Sequence, residues 1–441
     1  MKNTHITHRQ YTNEIRSEWH YITIMQAFML CFTLLLSGCQ LTNMVQFSYA
    51  NATATHSWVD DAMTTTVGFE LIDDHIILPV SVNGSEPLRF VLDSGAAATV
   101  ILESTHSKKL PLEMAGKVEV SGVGTGPNPV AHIINDTNLA LGNVRLDGLS
   151  VIYLPITSVP FFNDFDEVYF DGVIGAQFFE RFVVEIDYDR QLLSFSEPDS
   201  DKGSIFKRDS GWQEVPIDVH SSLPFLTTQI AIEDGQSLEI KLLIDTGYRG
   251  PISLTPDTHK GIEEPSQFYT TMSQGMSGNA QSKVGLSHSI NLGGSILIAV
   301  PVSFFISGGH TDYGSNGLLG NEVLSRFNLI FDYPNERMFI KPNQSFPVPL
   351  YLDRSGMLIR PHRLGAVVKS VAKDSAAYAI GLKTNDLITS IDGTRVTHLN
   401  ITELKRLLSS EREAVSVCWM LADEQTCGKL TLTSRLQQDE L

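Results

Sequence analysis

The sequence predicts a mainly β chain: two β-rich lobes related by a pseudo-twofold axis, followed by a smaller α+β module. Three observations carry this expectation. An apolar run that ends in Asp, then Ser or Thr, then Gly occurs at Asp93-Ser94-Gly95 and again, 152 positions later, at Asp245-Thr246-Gly247. Upstream of each, an alternating apolar run breaks at Asn83-Gly84 or Asp234-Gly235, pairs that favour tight hairpin turns. Beyond Pro342 and the Pro347/Pro349 stretch the pattern changes to short strands mixed with helices.

Length and composition agree with a multi-domain globular chain. The 441 residues are too many for one ordinary core, and 42% hydrophobic against 19% charged residues is neither a disordered nor a coiled-coil composition. Lys and Arg number 32 against 50 Asp and Glu, a net charge of −18. That balance argues against nucleic acid as a partner, since phosphate binding needs clustered Lys and Arg. Four cysteines rule out a disulfide scaffold, and no CxxC pair suggests a zinc site.

Taken in order, residues 1–38 read as a targeting segment. Tyr21–Leu36 is an almost uninterrupted apolar run of 16 residues, shorter than the roughly 20 a spanning helix needs. Lys2, Arg9 and Arg16 precede it and Leu36-Ser37-Gly38-Cys39 closes it. The tetrapeptide resembles a bacterial lipobox, which implies cleavage before Cys39, lipidation of that cysteine and a membrane anchor. Translation from Met25 would give a leader of more usual length, and Gln40 after the lipidated position favours the outer membrane by the same analogy. Without residues 1–38 the charge is −19, so the acidity belongs to the folded part. Residues 39–66, rich in Asn, Thr and Ala, show no period and read as a tether.

The two lobes are expected at residues 67–199 and 212–345, joined by a linker at 200–211. Their second halves match as closely as their first. Gly172-Val173-Ile174-Gly175, Arg181-Phe182 and Asp187-Tyr188 return as Gly317-Leu318-Leu319-Gly320, Arg326-Phe327 and Asp332-Tyr333. A period this long is a domain duplication rather than a solenoid. The apolar-apolar-Asp-Ser/Thr-Gly segment followed by apolar-apolar-Gly, found twice over about residues 67–345, resembles the lobe of pepsin- and retropepsin-like aspartic proteases.

The resemblance implies peptide hydrolysis by a pair of carboxylates, Asp93 and Asp245, one from each lobe. Two carboxyls a few ångströms apart cannot both ionise, so one accepts a proton from water while the other can give one up. Ser94 and Thr246 would tie the two Asp loops together across the axis. Gly95 and Gly247 would allow close backbone approach, and the segments ending in Gly175 and Gly320 would pack beside the Asp loops. Gly-rich tips at Ser121–Gly126, with Gly122, Gly124 and Gly126, and at Ser273–Gly278, with Gly275, would be flaps over the substrate. Pro127 and Pro129 argue against reading the first tip as a phosphate loop, because no helix follows. No GxSxG elbow or HExxH helix offers a competing chemistry, and the dyad needs no metal or cofactor. Asp187-Tyr188 and Asp332-Tyr333 are expected to end strands. The second lobe departs from the family at Tyr248-Arg249 and at Pro251, which stands where the first lobe has Thr99. Arg249 would lower the dyad pKa values if turned inward; a solvated side chain is the plainer expectation.

Residues 350–435 read as strand Gly365–Val371, short helix Ser375–Ile380, strand and turn Asp386–Gly393, a helix opened by Asn400-Ile401-Thr402-Glu403 with capping-box spacing, and strands Val415–Met420 and Lys429–Leu432. The series resembles a bacterial PDZ domain, which implies capture of protein C-termini beside Gly356-Met357-Leu358-Ile359, with the 401–409 helix as the opposite wall. Ala376 and Asn385 stand where Pro and Gly are usual; Asn tolerates the left-handed conformation. Cys418 and Cys427 flank an expected hairpin at Ala422-Asp423, placed either to pair in an oxidising compartment or to stay as two buried free thiols.

These readings converge on a lipid-anchored aspartic endopeptidase of the bacterial cell envelope, facing the periplasm, that acts on peptides or unfolded envelope proteins with its PDZ domain recruiting or orienting them. The alternative is a noncatalytic adaptor that holds peptides in the same cleft.

Overall fold

The computed structural model describes residues 42–61, 63–159, 169–198, 211–233, 236–309, 311–397, 400–421 and 424–438. The lipobox with Cys39, nearly all of the 200–211 linker and the turns at Asp234-Gly235 and Ala422-Asp423 lie outside the described residues.

The fold is mainly β. Each lobe centres on the strand that leads into its Asp, Leu88–Leu92 just before Asp93 in the first and Ser237–Asp245 in the second. An antiparallel neighbour packs on one side, His75–Val82 or Leu223–Ala231, and a parallel one on the other, Gly172–Ile174 or Gly317–Gly320. These central strands are apolar on both faces: Phe90, Leu92, Leu242 and Ile244 are completely buried on one, and Val91 and Leu243 are buried on the other. Each such side chain contributes roughly 1.5–3 kcal/mol relative to exposure.

A six-stranded sheet joins the lobes and displays the axis. Thr64–Gly68, Leu192–Ser196 and Val183–Asp187 from the first lobe meet Phe327–Asp332, Arg337–Pro342 and Gln213–Pro216 from the second, in mirrored order. The strands at the centre, Val183–Asp187 and Phe327–Asp332, pair antiparallel with each other and end at Asp187 and Asp332.

The tether reading of residues 39–66 is corrected where they are described. Residues 42–53 form a helix, Thr55–Trp58 adds a strand to the first lobe against Val144–Leu154, and Thr64–Gly68 edges the interlobe sheet. The helix faces lobe 1 through Asn43, Phe47, Ala50 and Asn51; Asn51 accepts from the Ser150 amide at 3.1 Å and, through its carbonyl, from Arg181. Threonine-rich edge strands with one half-exposed face bury too little to leave an apolar period, which is why composition suggested a tether.

The C-terminal module has the strand order Met357–His362, Gly365–Val371, Leu387–Ile391, Ala414–Leu421, Glu424–Thr431. Asn385 takes the left-handed conformation at φ 74°. Cys418 and Cys427 are cross-strand partners joined by a disulfide. The helix Ile401–Ser409 forms, but not through the expected capping box: the Asn400 side chain instead accepts from the Thr397 amide at 2.8 Å, tying off the preceding loop. The module shares one continuous core with lobe 1, running from Ile72, Ile77 and Val91 to Ile359, Ile401 and Leu408. Its tail returns to lobe 2, where Gln437–Gln438 pairs with Gln267–Gly275 and the Arg435 guanidinium lies 4.0 Å above the Tyr269 ring.

Candidate active site

The two Asp-Ser/Thr-Gly segments meet on the pseudo-twofold axis. Asp93 follows strand Leu88–Leu92 and its amide donates to the Ile174 carbonyl at 3.0 Å; Asp245 ends its own strand beside Gly320. The Ser94 amide donates to Thr246 Oγ1 at 2.9 Å, and the Thr246 amide to Ser94 Oγ at 3.0 Å. Each hydroxyl then donates across the axis, Ser94 to the Ile244 carbonyl at 2.7 Å and Thr246 to the Leu92 carbonyl at 2.9 Å. All four bonds join one lobe to the other, and both side chains are completely buried. A buried hydroxyl whose acceptors and donors are all satisfied has one orientation, so the loops have one separation.

That separation brings the carboxyls together. The Asp93 carboxyl hydrogen-bonds that of Asp245. Backbone amides hold them from below: Gly95 donates to Asp93 Oδ1 at 2.8 Å, while Gly247 and Tyr248 donate to Asp245 Oδ1 at 2.9 and 2.8 Å. A Cβ on Gly95 would stand 2.6 Å from Asp245 Cγ, and one on Gly247 would stand 2.4 Å from Asp93 Cγ. Both positions therefore require glycine for approach. Burial, and then the adjacent Asp245 charge, hold the Asp93 carboxyl well above the usual carboxylate range. Tyr333, at the end of the interlobe strand, lies buried near both carboxyls and is stacked on Phe179 with centroids 5.1 Å apart.

Gly175 lies against Ala96 and Ala98 of the first Asp loop, and Gly320 against Tyr248 and Gly250 of the second. The Gly175 amide donates to Thr99 Oγ1 at 3.3 Å; in lobe 2, where Pro251 replaces that threonine, the Gly320 amide donates to the Pro251 carbonyl at 2.8 Å. Backbone thus stands in for the missing side chain.

The Gly-rich tips interlock above the dyad. The Gly126 amide donates to the Ser277 carbonyl at 2.6 Å, the Ser277 amide to the Val123 carbonyl at 3.0 Å and the Gly124 amide to the Gly308 carbonyl at 3.0 Å. Gly122 lies against Met276, and Gly275 against Val123. Gly124 adopts φ 134°, and a Cβ there would come within 2.3 Å of the Ser277 carbonyl carbon. Gly124→Ala is therefore expected to part the tips and lower kcat/KM for a peptide by up to roughly 10²-fold, the cost of small misplacements. Unchanged kinetics in a steady-state assay would remove the tips from the site. Under them lies a cavity of about 1530 Å³ whose lining includes Asp93, Asp245, Val123, Met276, Tyr248 and Arg360.

Arg249 behaves as neither sequence expectation held. Its guanidinium is paired with Asp73, which is itself fully buried, and Asp93 is raised rather than lowered. Beside it stand residues that the sequence reading missed. His75 meets the Gly247 carbonyl through Nε2 at 3.0 Å and Tyr169 Oη through Nδ1 at 2.5 Å. Burial, then the Arg249 charge, push its pKa down to about 3, so the ring is neutral. A carbonyl only accepts, so Nε2 carries the hydrogen and Nδ1 accepts from Tyr169. His75 thereby braces the Asp245 loop from behind. A comparison of the two copies offers one signal for it: both carry a hairpin turn with two left-handed residues, Asp73-Asp74 before His75 and Ser221-Ser222 before Leu223, and the copies differ at all three positions.

In the PDZ-like module, Met357 and Ile359 are buried and Leu358 is partly so. The loop amides expected to face a ligand carboxylate are already engaged. Ser355 and Gly356 donate to the Asp353 carboxylate at 3.0 and 2.9 Å, and Met357 donates to Ser355 Oγ at 3.2 Å.

Residues 78–178, from the strand before the first Asp through Gly175, match the family model described as aspartyl protease, and residues 367–417 match that described as PDZ domain. The chain thus carries an aspartyl-protease domain and a PDZ domain. The second lobe lies outside both matched segments, and no curated protein matches the chain.

Proposed function

We propose that the chain is an aspartic endopeptidase whose two lobes supply one carboxyl each, with the PDZ domain recruiting or orienting protein substrates. The observation that carries this reading is the hydrogen-bonded Asp93–Asp245 pair, half-buried beneath interlocked tips and fixed by four bonds across the lobe interface. A dyad in this setting holds one proton. Its ionised member takes a proton from water, whose oxygen adds to the scissile carbonyl carbon; its protonated member hydrogen-bonds the carbonyl oxygen. Collapse of the tetrahedral intermediate breaks the C–N bond as the departing nitrogen receives a proton from the dyad. The pair titrates as a unit, so the roles of base and acid are not assigned to single residues.

An extended peptide fits a cleft walled by strands, and peptides or unfolded envelope proteins are the substrate class. The test is cleavage of an unstructured protein such as casein by the full chain, from acid to neutral pH. Proteolysis sensitive to either Asp supports the reading; a folded chain that binds but never cleaves would be a noncatalytic adaptor.

The chain acts, on this reading, as a lipoprotein anchored through Cys39 in the outer membrane and facing the periplasm. Cys39→Ser is expected to abolish incorporation of labelled palmitate and to release the protein from the membrane fraction. Retention of both label and membrane association would end the lipoprotein reading.

A further inference from the structure

A PDZ groove lies between one strand edge and one helix, here Met357–His362 and Ile401–Ser409. In this chain the first lobe reaches both walls. The hairpin turn between Glu70–Ile72 and His75–Val82 places Asp73 against Lys405 of the helix, and the Asp74 amide donates to Thr402 Oγ1 at 3.2 Å. Asp74 also stands 3.9 Å from Arg406, and Asp73 lies in the field of Arg360 on the strand wall. The Asp73 side chain is fully buried between the two domains.

Two further observations mark this turn as built for the position. Asp73 and Asp74 both hold positive φ, 52° and 63°, a geometry for which Asn-Gly is the ordinary choice. The equivalent turn of the duplicated lobe, Ser221-Ser222, has the same backbone sign without the carboxylates, and its contact is with Glu180 of lobe 1 rather than with the PDZ module. One copy of the repeat thus carries two acidic residues where it meets a helix bearing Lys405 and Arg406.

We propose that the Ile72–His75 turn is an internal ligand of the PDZ groove, its Asp73 carboxylate held by the groove's cations, and that an entering peptide C-terminus competes with it. This rests on the reading of Gly356–Ile359 and the 401–409 helix as a peptide groove. Displacement would reach the dyad by a short route. Asp73 also pairs with Arg249, two residues from Gly247, and His75 at the end of the same turn holds the Gly247 carbonyl. The groove and the Asp245 loop therefore share one turn, and occupancy of the first alters the support of the second.

The test uses the full chain carrying Asp93→Asn, so that no peptide is cut, together with Asp74→Cys and Thr402→Cys. Mild oxidation is expected to join positions 74 and 402, identified by mass spectrometry of the linked peptides. The probe is a random-sequence hexapeptide library with free C-terminal carboxylates, beside the same library amidated. The oxidised chain should bind the free-carboxylate library at least roughly tenfold more weakly than its reduced form, since apparent affinity scales with the open fraction. Asp73→Ala in the Asp93→Asn background should bind it more tightly than Asp93→Asn alone. Equal binding by oxidised and reduced chains overturns the proposal, as does binding by no form or failure of the bond to form. Cleavage by the chain with Asp93 intact is scored separately: if it is absent while binding still switches, the endopeptidase reading falls and the internal ligand stands.

Discussion

Asp93→Asn should abolish cleavage and, at neutral pH, raise the melting temperature. The activity loss is expected at roughly 10²–10⁴-fold or more, the scale of a general acid–base group, and Asp245→Asn should match it because the pair acts as a unit. The stability gain follows from the raised Asp93 pKa. In the folded chain burial and the Asp245 charge make its proton harder to lose than in the unfolded chain, where the ordinary value of 3.8 applies. Stability associated with this group is fully present below that ordinary value and is lost as pH rises through the raised folded value. Asparagine never ionises, so the variant escapes that loss: its melting temperature should exceed the parent's at neutral pH and converge with it in acid. Equal melting temperatures across the range would mean that the carboxyl is not held protonated. The same shift sets the activity profile. Cleavage should follow a bell whose alkaline limb lies above the ordinary carboxylate range, because the dyad keeps one proton until the raised value is passed.

Other shifted groups pull stability in both directions and explain why the comparison must be between variant and parent. Glu322, held up to about 7 by burial and the nearby Asp74, also loses stability as pH rises. His75 works the other way: its folded pKa of about 3 lies below the ordinary 6.5, so its contribution is present above 6.5 and is lost as pH falls. Asp73, which burial raises but the charges of Lys405, Arg249 and Arg360 together with the Lys405 hydrogen bond hold low, likewise loses stability toward acid. Of these shifts, that of Asp93 lies on the proposed reacting pair itself.

What could be read in advance follows from the range over which each signal acts. The dyad, the glycines beside it and the apolar-apolar-Gly strands were legible because each repeats within one lobe at matched offsets, and duplication turns a weak tripeptide into a paired pattern. The PDZ strands and helix were legible for the ordinary reason of local period. Arg249 was not, since its partner Asp73 lies 176 positions away and no local pattern relates a turn in one lobe to a loop in the other. Lys405 and Asp73 are 332 positions apart, and the docking of the last module on the first lobe left no trace in either segment alone. The strands Thr55–Trp58 and Thr64–Gly68 were hidden for a different reason: edge strands are completed by a neighbour's hydrogen bonds more than by their own apolar side chains.

Replacing Thr246 by Val should be strongly damaging although it leaves both carboxyls in the sequence. Valine keeps the shape but removes a hydroxyl that donates to the Leu92 carbonyl and accepts from the Ser94 amide, both buried. Each orphaned buried group costs about 1–3 kcal/mol, so the variant should lose roughly 2–6 kcal/mol in chemical denaturation. The kinetic loss has a separate cause. Ser94 and Thr246 adjoin the two aspartates directly, so slack between the loops becomes slack between the carboxyls, and the shared hydrogen bond between Asp93 and Asp245 weakens. A looser pair repels less and binds its proton less tightly, which moves the alkaline limb of the pH profile toward the ordinary carboxylate range. Global destabilisation alone would lower the active fraction without moving that limb. Thr246→Ser restores the hydroxyl and should recover both the stability and the limb, to within the cost of one methyl group. If Thr246→Val lowers stability while the pH profile of the surviving activity stays in place, the bonds across the axis hold the lobes together but do not set the dyad.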